Sequence, residues 1–339
     1  MPVDPRQVRL ANRPVGLPKD GDWSFTSDPT PEPAQGEFGV RVVYVSLDPA
    51  MRGWMNEGKS YLPPVDIGEV MRAGAVGQVT SSNNPRFAAG SWVSGAFGVQ
   101  TSAVSDGAGV VAVDPSVASL PTFLGTLGAP GMTAYFGLLD VGKAVAGDTV
   151  VVSGAAGAVG AAVGQIAKIK GCRVVGIAGG PEKTRWLTED LGFDAAIDYK
   201  GEDVRRALRE HCGDGMDVYF DNVGGEILDA ALTRLARGAR IVVCGAISQY
   251  NNTEPVRGPS NYLNLLVSRA SMTGFVVFDY ARRYGEAAAE MAGWIAEGRL
   301  QSREDIVTGG LDAFPSALLK LFAGENTGKL VLQVGDVDA

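Results

Sequence analysis

Histidine is nearly absent. His211 is the only one in 339 residues, so a Ser-His-Asp mechanism would rest wholly on a residue in a charged helical segment. Cysteine is scarce as well: Cys172, Cys212 and Cys244 stand far apart, whereas a structural zinc takes four ligands, typically with Cys-x₂-Cys spacing, and a catalytic zinc three. No metal is expected, and no disulfide framework; free thiols fit a reducing compartment. Excess positive charge is lacking too. The formal net charge is −8, which disfavours nucleic acid and anionic membrane surfaces as partners. The N-terminus, MPVDPRQVRL, has no basic segment followed by an apolar one, so a cytoplasmic location is expected. The one long uncharged apolar run, residues 149–167, is nearly long enough to span a bilayer. It is glycine-rich and its periodicity changes midway, which argues against a membrane span.

That same run organises the chain. TVVVSGAAGAVGAAVGQIAK, residues 149–168, reads as strand, tight turn and helix. Val150, Val151 and Val152 suit a buried strand, and Val159, Val163, Ile166 and Ala167 recur at the spacings of one helix face. Gly154 and Gly157 allow a sharp turn and close approach of a ligand, and Gly160 allows the helix to press on its strand. The helix start then offers N–H groups to a pyrophosphate. The fingerprint G-x-G-x-x-G is incomplete, because Ala155 stands at its first glycine; a glycine- and alanine-rich packing helix is the alternative.

Residues 1–121 read as β-rich and irregular, with short β-branched segments at 39–45, 75–80 and 91–99 and a proline-rich connector at 28–33. From Leu120 strands and helices alternate. Strands are expected at 173–178, 195–199, 217–220, 240–244 and 271–278, and helices at 133–139, 182–191, 204–211, 226–235, 261–269 and 281–297. Such alternation implies an α/β unit with a parallel, doubly wound sheet and a ligand crevice at the carboxyl ends of its strands. After Gly298 loops return, followed by a helix at 314–322 and a strand at 329–334. That last strand has no neighbour in the parallel sheet and fits the N-terminal β-rich unit. The domains are therefore drawn as 1–121 with 302–339, and 122–301.

Cofactor choice is read at the second strand's end, where an acid would bind a ribose 2′-hydroxyl and repel a 2′-phosphate. Here the tip is Ala178-Gly179-Gly180, with Lys183 just beyond, which favours NADP over NAD. Glu182 pointing inward would allow NAD, and a solvated Lys183 is the bland reading. Other strand ends supply Tyr199, Asn222 in an Asp-Asn-Val-Gly-Gly turn, Cys244, and the loop 245–250. With histidine nearly missing, neutral proton donors in suitable loops are Tyr61, Tyr250 and Tyr262. Each also fits an amphipathic surface tyrosine.

Several stretches together carry a resemblance: Ser46-Leu47-Asp48-Pro49 with Met51-Arg52, Gly131-Met132-Thr133-Ala134-Tyr135, residues 153–160, 217–225 and 244–250, Gly274-Phe275-Val276-Val277, and residues 325–329. The chain resembles the zinc-free medium-chain dehydrogenase/reductases, in particular the leukotriene B4 12-hydroxydehydrogenase/prostaglandin reductase group and its bacterial relatives acting on enones such as curcumin. The resemblance implies a GroES-like catalytic domain built from both chain ends, a Rossmann domain, and NADPH as cofactor. It places Gly157, Ala158, Val159 and Gly160 at the pyrophosphate, and Lys183 and Tyr199 at the 2′-phosphate. Asn222, Cys244, Gly245, Ala246, Ile247, Ser248 and Tyr250 would line the cofactor further along, as would Phe275, Val276, Val277 and Asn326. Tyr262 resembles the tyrosine near the nicotinamide ribose, and Tyr61 and Tyr250 resemble substrate-side tyrosines. Two departures stand out. Ala50 replaces an aromatic residue common in relatives, and Gly68-Glu69-Val70 stands where zinc enzymes have Gly-His-Glu.

The expected activity is NADPH-dependent reduction of the C=C bond of α,β-unsaturated ketones and aldehydes. Rival readings are a quinone oxidoreductase, a non-catalytic NADPH-binding protein and an S-adenosylmethionine-dependent methyltransferase. The resemblance suggests a homodimer, and residues 271–278 would offer the sheet edge for it.

Overall fold

Val150, Val151 and Val152 are fully buried in the strand Thr149–Ser153. In this computed structural model, which describes residues 5–337, Val150 and Val152 join a core with Val163 and Ile166 of the helix Ala158–Ile169, whereas Val151 joins Ala207 and Leu208 on the other side. A strand covered on both faces has no reason to alternate in polarity. Its neighbours complete a six-stranded parallel sheet in the order Ala195–Asp198, Arg173–Ala178, Thr149–Ser153, Met216–Asp221, Leu235–Val243, Ser271–Gly274. In chain order this is the 3-2-1-4-5-6 arrangement of a Rossmann sheet. The order reverses between Thr149–Ser153 and Met216–Asp221, so their carboxyl ends define the crevice.

This sheet lies in one of two compact units, Gly125–Arg303; the other takes the chain to Leu124 and resumes at Glu304. In that β-rich unit, a seven-stranded sheet runs Glu304–Val307, Lys329–Gln333, Phe38–Ser46, Ala75–Ser82, Trp92–Gly95, Val111–Val113, with Ser102–Ser105 also on Phe38–Ser46. Strands from both ends of the chain thus share one sheet. A hairpin of Gln7–Leu10 with Trp23–Thr26 accompanies it. Among the described residues no helix is long and apolar enough to cross a membrane.

Several elements differ from their sequence expectation. The strand expected at 271–278 ends at Gly274, opposite Val243, where its neighbouring strand also ends; Val277–Arg283 is a 3₁₀ segment and the next helix starts at Tyr284. The helix expected at 261–269 is Asn264–Ser268, because Asn261 is held outside it by bonds to Asp229, its amide to Oδ1 at 3.1 Å and its side chain to the backbone carbonyl at 2.9 Å. Tyr262 therefore sits in a turn and does not open the helix. The helix expected at 226–235 stops at Ala231, and Leu235 already begins a strand. The strand expected at 91–99 ends at Gly95. Within the stretch expected as loop after Gly298, Glu304–Val307 is a strand that pairs in parallel with Lys329–Gln333. By contrast Val204–His211 occupies its expected span, its start fixed by the Asp203 carboxylate accepting the Arg206 amide at 2.7 Å.

Gly160 is where the helix meets its strand. A Cβ there would lie 2.3 Å from the Gly154 carbonyl oxygen and 2.7 Å from the Ala155 Cα, both rigid backbone. Gly160→Ala is expected to lower Tm by roughly 5 °C in a thermal melt, the cost of forcing helix and turn apart.

Candidate active site

The turn after Ser153 is left-handed at Gly154, with φ +59°, a conformation glycine adopts freely. Gly157 then takes the cap position of the helix Ala158–Ile169 in extended conformation, and no side chain caps that helix. The first N–H groups of a helix have no partner within it. Those of Ala158, Val159 and Gly160 therefore face outward at the crevice, where a phosphate group is favoured by both hydrogen bonding and the helix dipole. The incomplete glycine fingerprint still forms a left-handed turn that leads into a helix start without a side-chain cap.

Three strand exits converge beside it. Gly154 lies under the Asn222 and Val223 side chains, at 3.4 and 3.5 Å from a Cβ built on it. Asn222 donates its side-chain amide to the Ser153 carbonyl at 2.7 Å and its backbone amide to Ser153 Oγ at 2.9 Å. The amides of Ile247 and Ser248 donate to the carbonyls of Asn222 and Val223, each at 3.2 Å, and Ser248 Oγ donates to Val223 O at 2.7 Å. Residues 154–160, 221–225 and 244–248 thus form one connected surface. Tyr250 closes the last loop on itself, its hydroxyl accepting the Ala246 amide at 3.1 Å. Cys244 lies just past its strand, half-buried, rather than within it.

The tip of the second strand forms a separate corner. Gly179 gives room to Tyr199, whose ring would come within 2.9 Å of a Cβ there. The Asp198 carboxylate accepts the amides of Gly180 at 2.7 Å and Lys200 at 3.0 Å, which fixes the bend at Gly180. Lys183, in the helix Pro181–Arg185, is half-buried while Glu182 is exposed. Phe275 turns toward the core, edge-on to Phe220 at 6.5 Å, and the Val277 carbonyl accepts the Tyr284 hydroxyl at 3.0 Å. Val276 caps the following 3₁₀ segment. Tyr262 is 57 % exposed.

Tyr61 and Asn326 belong to the β-rich unit. Tyr61 accepts the Trp54 indole N–H at 3.2 Å and is 52 % exposed; Asn326 donates to the Gly328 carbonyl at 2.9 Å. Trp54 ends the short helix Ala50–Trp54, so Ala50 and Tyr61 are carried by one local structure. Beneath that helix Lys329, almost wholly buried, donates to Leu47 O at 2.7 Å and Asp48 Oδ1 at 2.8 Å. No motif in the sequence announces this pair, which joins residues 281 positions apart.

Burial keeps the thiols neutral. It pushes Cys172 and Cys212 up to about 11, and Cys244, with the Asp221 carboxylate adding to the effect, up to about 12. With thiolate fractions on the order of 10⁻³ or less at pH 8, the folded protein is expected to resist iodoacetamide. The same protein in urea should be alkylated at three sites per chain, which mass spectrometry reads. Among the described residues no group of three or more His, Cys, Asp and Glu side chains could hold a metal ion.

A parallel dinucleotide-binding sheet, joined in one chain to a β-rich unit made from both termini, is the architecture of the medium-chain dehydrogenase/reductases. Two family models match: "N-terminal domain of oxidoreductase" over residues 6–113 and "Zinc-binding dehydrogenase" over residues 158–293. The chain is 47 % identical to YfmJ of Bacillus subtilis, covering 99 % of each sequence. It is 44 % identical to the NADPH-dependent curcumin reductase of Escherichia coli, covering 98 % of each. The solved structure of CurA from Vibrio vulnificus in complex with NADPH superposes with a TM-score of 0.92 at 48 % identity, over 98 % of this chain and 99 % of that one. The chain belongs to the medium-chain dehydrogenase/reductase family, in its zinc-independent, prostaglandin reductase-like group.

Proposed function

We propose that this protein is an NADPH-dependent reductase of the C=C bond of α,β-unsaturated ketones and aldehydes. The observation that carries the reading is the uncapped helix start at Ala158, set on the left-handed Gly154 turn, with an acid-free strand tip and Lys183 beyond it. The names of its relatives support it: one is an NADPH-dependent curcumin reductase and another was solved with NADPH.

In this reading the amides of Ala158, Val159 and Gly160 hold the pyrophosphate. Lys183 and Tyr199 take the 2′-phosphate, the charge that separates NADPH from NADH. Asn222 and residues 244–248 support the ribose and nicotinamide end, with Phe275, Val276, Val277 and Asn326 lining further parts of the cofactor. When bound, NADPH supplies a hydride to the β-carbon of the enone. The chain's own contribution is to orient the carbonyl and stabilise negative charge on its oxygen, for which a neutral phenol is suited. Tyr61, Tyr250 and Tyr262 are the hydroxyls assigned to hydrogen-bond that oxygen or the cofactor ribose, and to deliver the proton to the α-carbon directly or through water.

The finer properties belong to the same proposal: residence in the cytoplasm and assembly as a homodimer. The edge strand Ser271–Gly274 lies open beyond Leu235–Val243, and Leu263, Leu266 and Val267 are 60, 77 and 66 % exposed, apolar surface that a second copy would cover. Light scattering at working concentration should give twice the chain mass.

The test is NADPH oxidation with a panel of enones, enals, saturated aldehydes and quinones. Turnover of enones with loss of their conjugated absorbance is expected. Turnover of quinones alone would favour the quinone oxidoreductase reading, and cofactor binding with no turnover would make the protein a non-catalytic binder.

A further inference from the structure

Asp221 is 1 % exposed, yet among the described residues its side-chain partners are hydroxyls and amides, none of them a cation. One oxygen, Oδ1, takes four hydrogen bonds: from Ser153 Oγ at 2.9 Å, the Tyr219 hydroxyl at 3.1 Å, and the amides of Val223 at 3.2 Å and Gly224 at 3.0 Å. Its backbone carbonyl accepts two more, from the amides of Cys244 at 2.9 Å and Gly245 at 3.1 Å. Burying a carboxylate without a counter-charge is costly, and it is tolerated where several donors converge on it. Burial raises the Asp221 pKa from its ordinary value, and the bonds from Gly224, Ser153, Val223 and Tyr219 oppose that rise.

The donors come from different parts of the chain. Ser153 ends the first strand of the sheet, Val223 and Gly224 form the turn before the helix Gly225–Ala231, and Cys244 and Gly245 leave the next strand. Ser153 relays the contact, since its hydroxyl donates to Asp221 while accepting the Asn222 amide. Gly154, the left-handed residue of the phosphate turn, follows directly. We propose that Asp221 is a positioning residue that locks the phosphate turn, the Asn222 turn and the exit at Cys244 into the single arrangement that receives the dinucleotide. The inference rests on the NADPH reading above. A carboxylate suits the task because one anionic oxygen can serve four donors whose directions differ, a load that a neutral side-chain carbonyl bears less well.

The experiment compares wild type, Asp221→Asn, Asp221→Ala and Ser153→Ala, with NADPH fluorescence titration below each protein's Tm and hydrogen exchange on the cofactor-free proteins. Asp221→Ala is expected to raise the Kd for NADPH about tenfold or more, and Ser153→Ala to raise it by about fivefold, while kcat at saturating NADPH changes by less than about twofold. Asp221→Asn, whose neutral oxygen holds the four donors less well, should fall between and raise the Kd by about threefold. Exchange at the Val223 and Gly224 amides should quicken in Asp221→Ala and far less in Asp221→Asn. If Asp221→Ala does not fold, Ser153→Ala and Asp221→Asn carry the comparison. A lowered Tm with unchanged Kd in Ser153→Ala and Asp221→Asn would reduce Asp221 to a structural residue and overturn the inference. Failure of the wild-type protein to bind NADPH would instead strike the functional reading itself.

Discussion

Lys183→Ala is expected to raise KM for NADPH by about 10- to 100-fold, the range for losing a charged hydrogen bond in a binding site, while leaving KM for NADH within about twofold. The lysine follows an acid-free strand tip and is half-buried beside it, whereas Glu182 is exposed. Steady-state kinetics with both nucleotides make the comparison internal. Damage to folding would weaken both, and loss of a 2′-phosphate contact weakens one. Equal losses with NADPH and NADH would remove Lys183 from the 2′-phosphate. Salt adds a second check, because the wild-type preference for NADPH should narrow as ionic strength rises and the variant's should not.

Phenylalanine substitutions at the three tyrosines separate proton handling from loop support. If Tyr61 or Tyr262 polarises the enone carbonyl or delivers the α-proton, its Phe variant is expected to lose about 100-fold or more in kcat with KM for NADPH little changed. Tyr250→Phe differs, because its hydroxyl also accepts the Ala246 amide. Removing that acceptor should loosen residues 246–250 and raise KM for NADPH in addition to any effect on kcat. Stopped-flow monitoring of NADPH absorbance in single turnovers isolates the hydride step. A solvent isotope effect that vanishes in one Phe variant would identify the tyrosine whose proton is in flight. Three variants with wild-type kcat would leave protonation to water and the cofactor, and would take the tyrosines out of the catalytic assignment.

The sequence made the centre of the parallel sheet readable because local and global preferences agree there. β-Branched residues at 150–152, glycines at the turn and an apolar helical stripe all point to strand, turn and helix. Agreement fails at the edges. Glu304–Val307 carries two acids and owes its strand conformation to Lys329–Gln333, a partner no local pattern reveals. Residues 275–278 are as apolar as a strand, but the neighbouring strand has already ended at Val243. Candidate cofactor residues could be proposed because strand ends are predictable once strands are. In the sequence Asp221 is only the first residue of an Asp-Asn-Val-Gly-Gly turn, and its weight comes from donors such as Ser153, 68 positions earlier. Likewise Lys329 and Asp48 meet only in three dimensions.

One sheet of this protein draws Phe38–Ser46 from the first part of the chain and Lys329–Gln333 from the last, and the two orders of time differ for the ribosome. The unit Gly125–Arg303 holds all of its strands in one unbroken segment, so it can fold while translation continues. The β-rich sheet must wait, with Tyr44–Ser46 lacking a neighbour, until residues 329–333 have been made. During that interval only the Tyr44–Ser46 end of the strand lacks its partner, because Ser102–Ser105 already pairs with Phe38–Arg41, and an open edge of that kind is what a nascent-chain chaperone would shield.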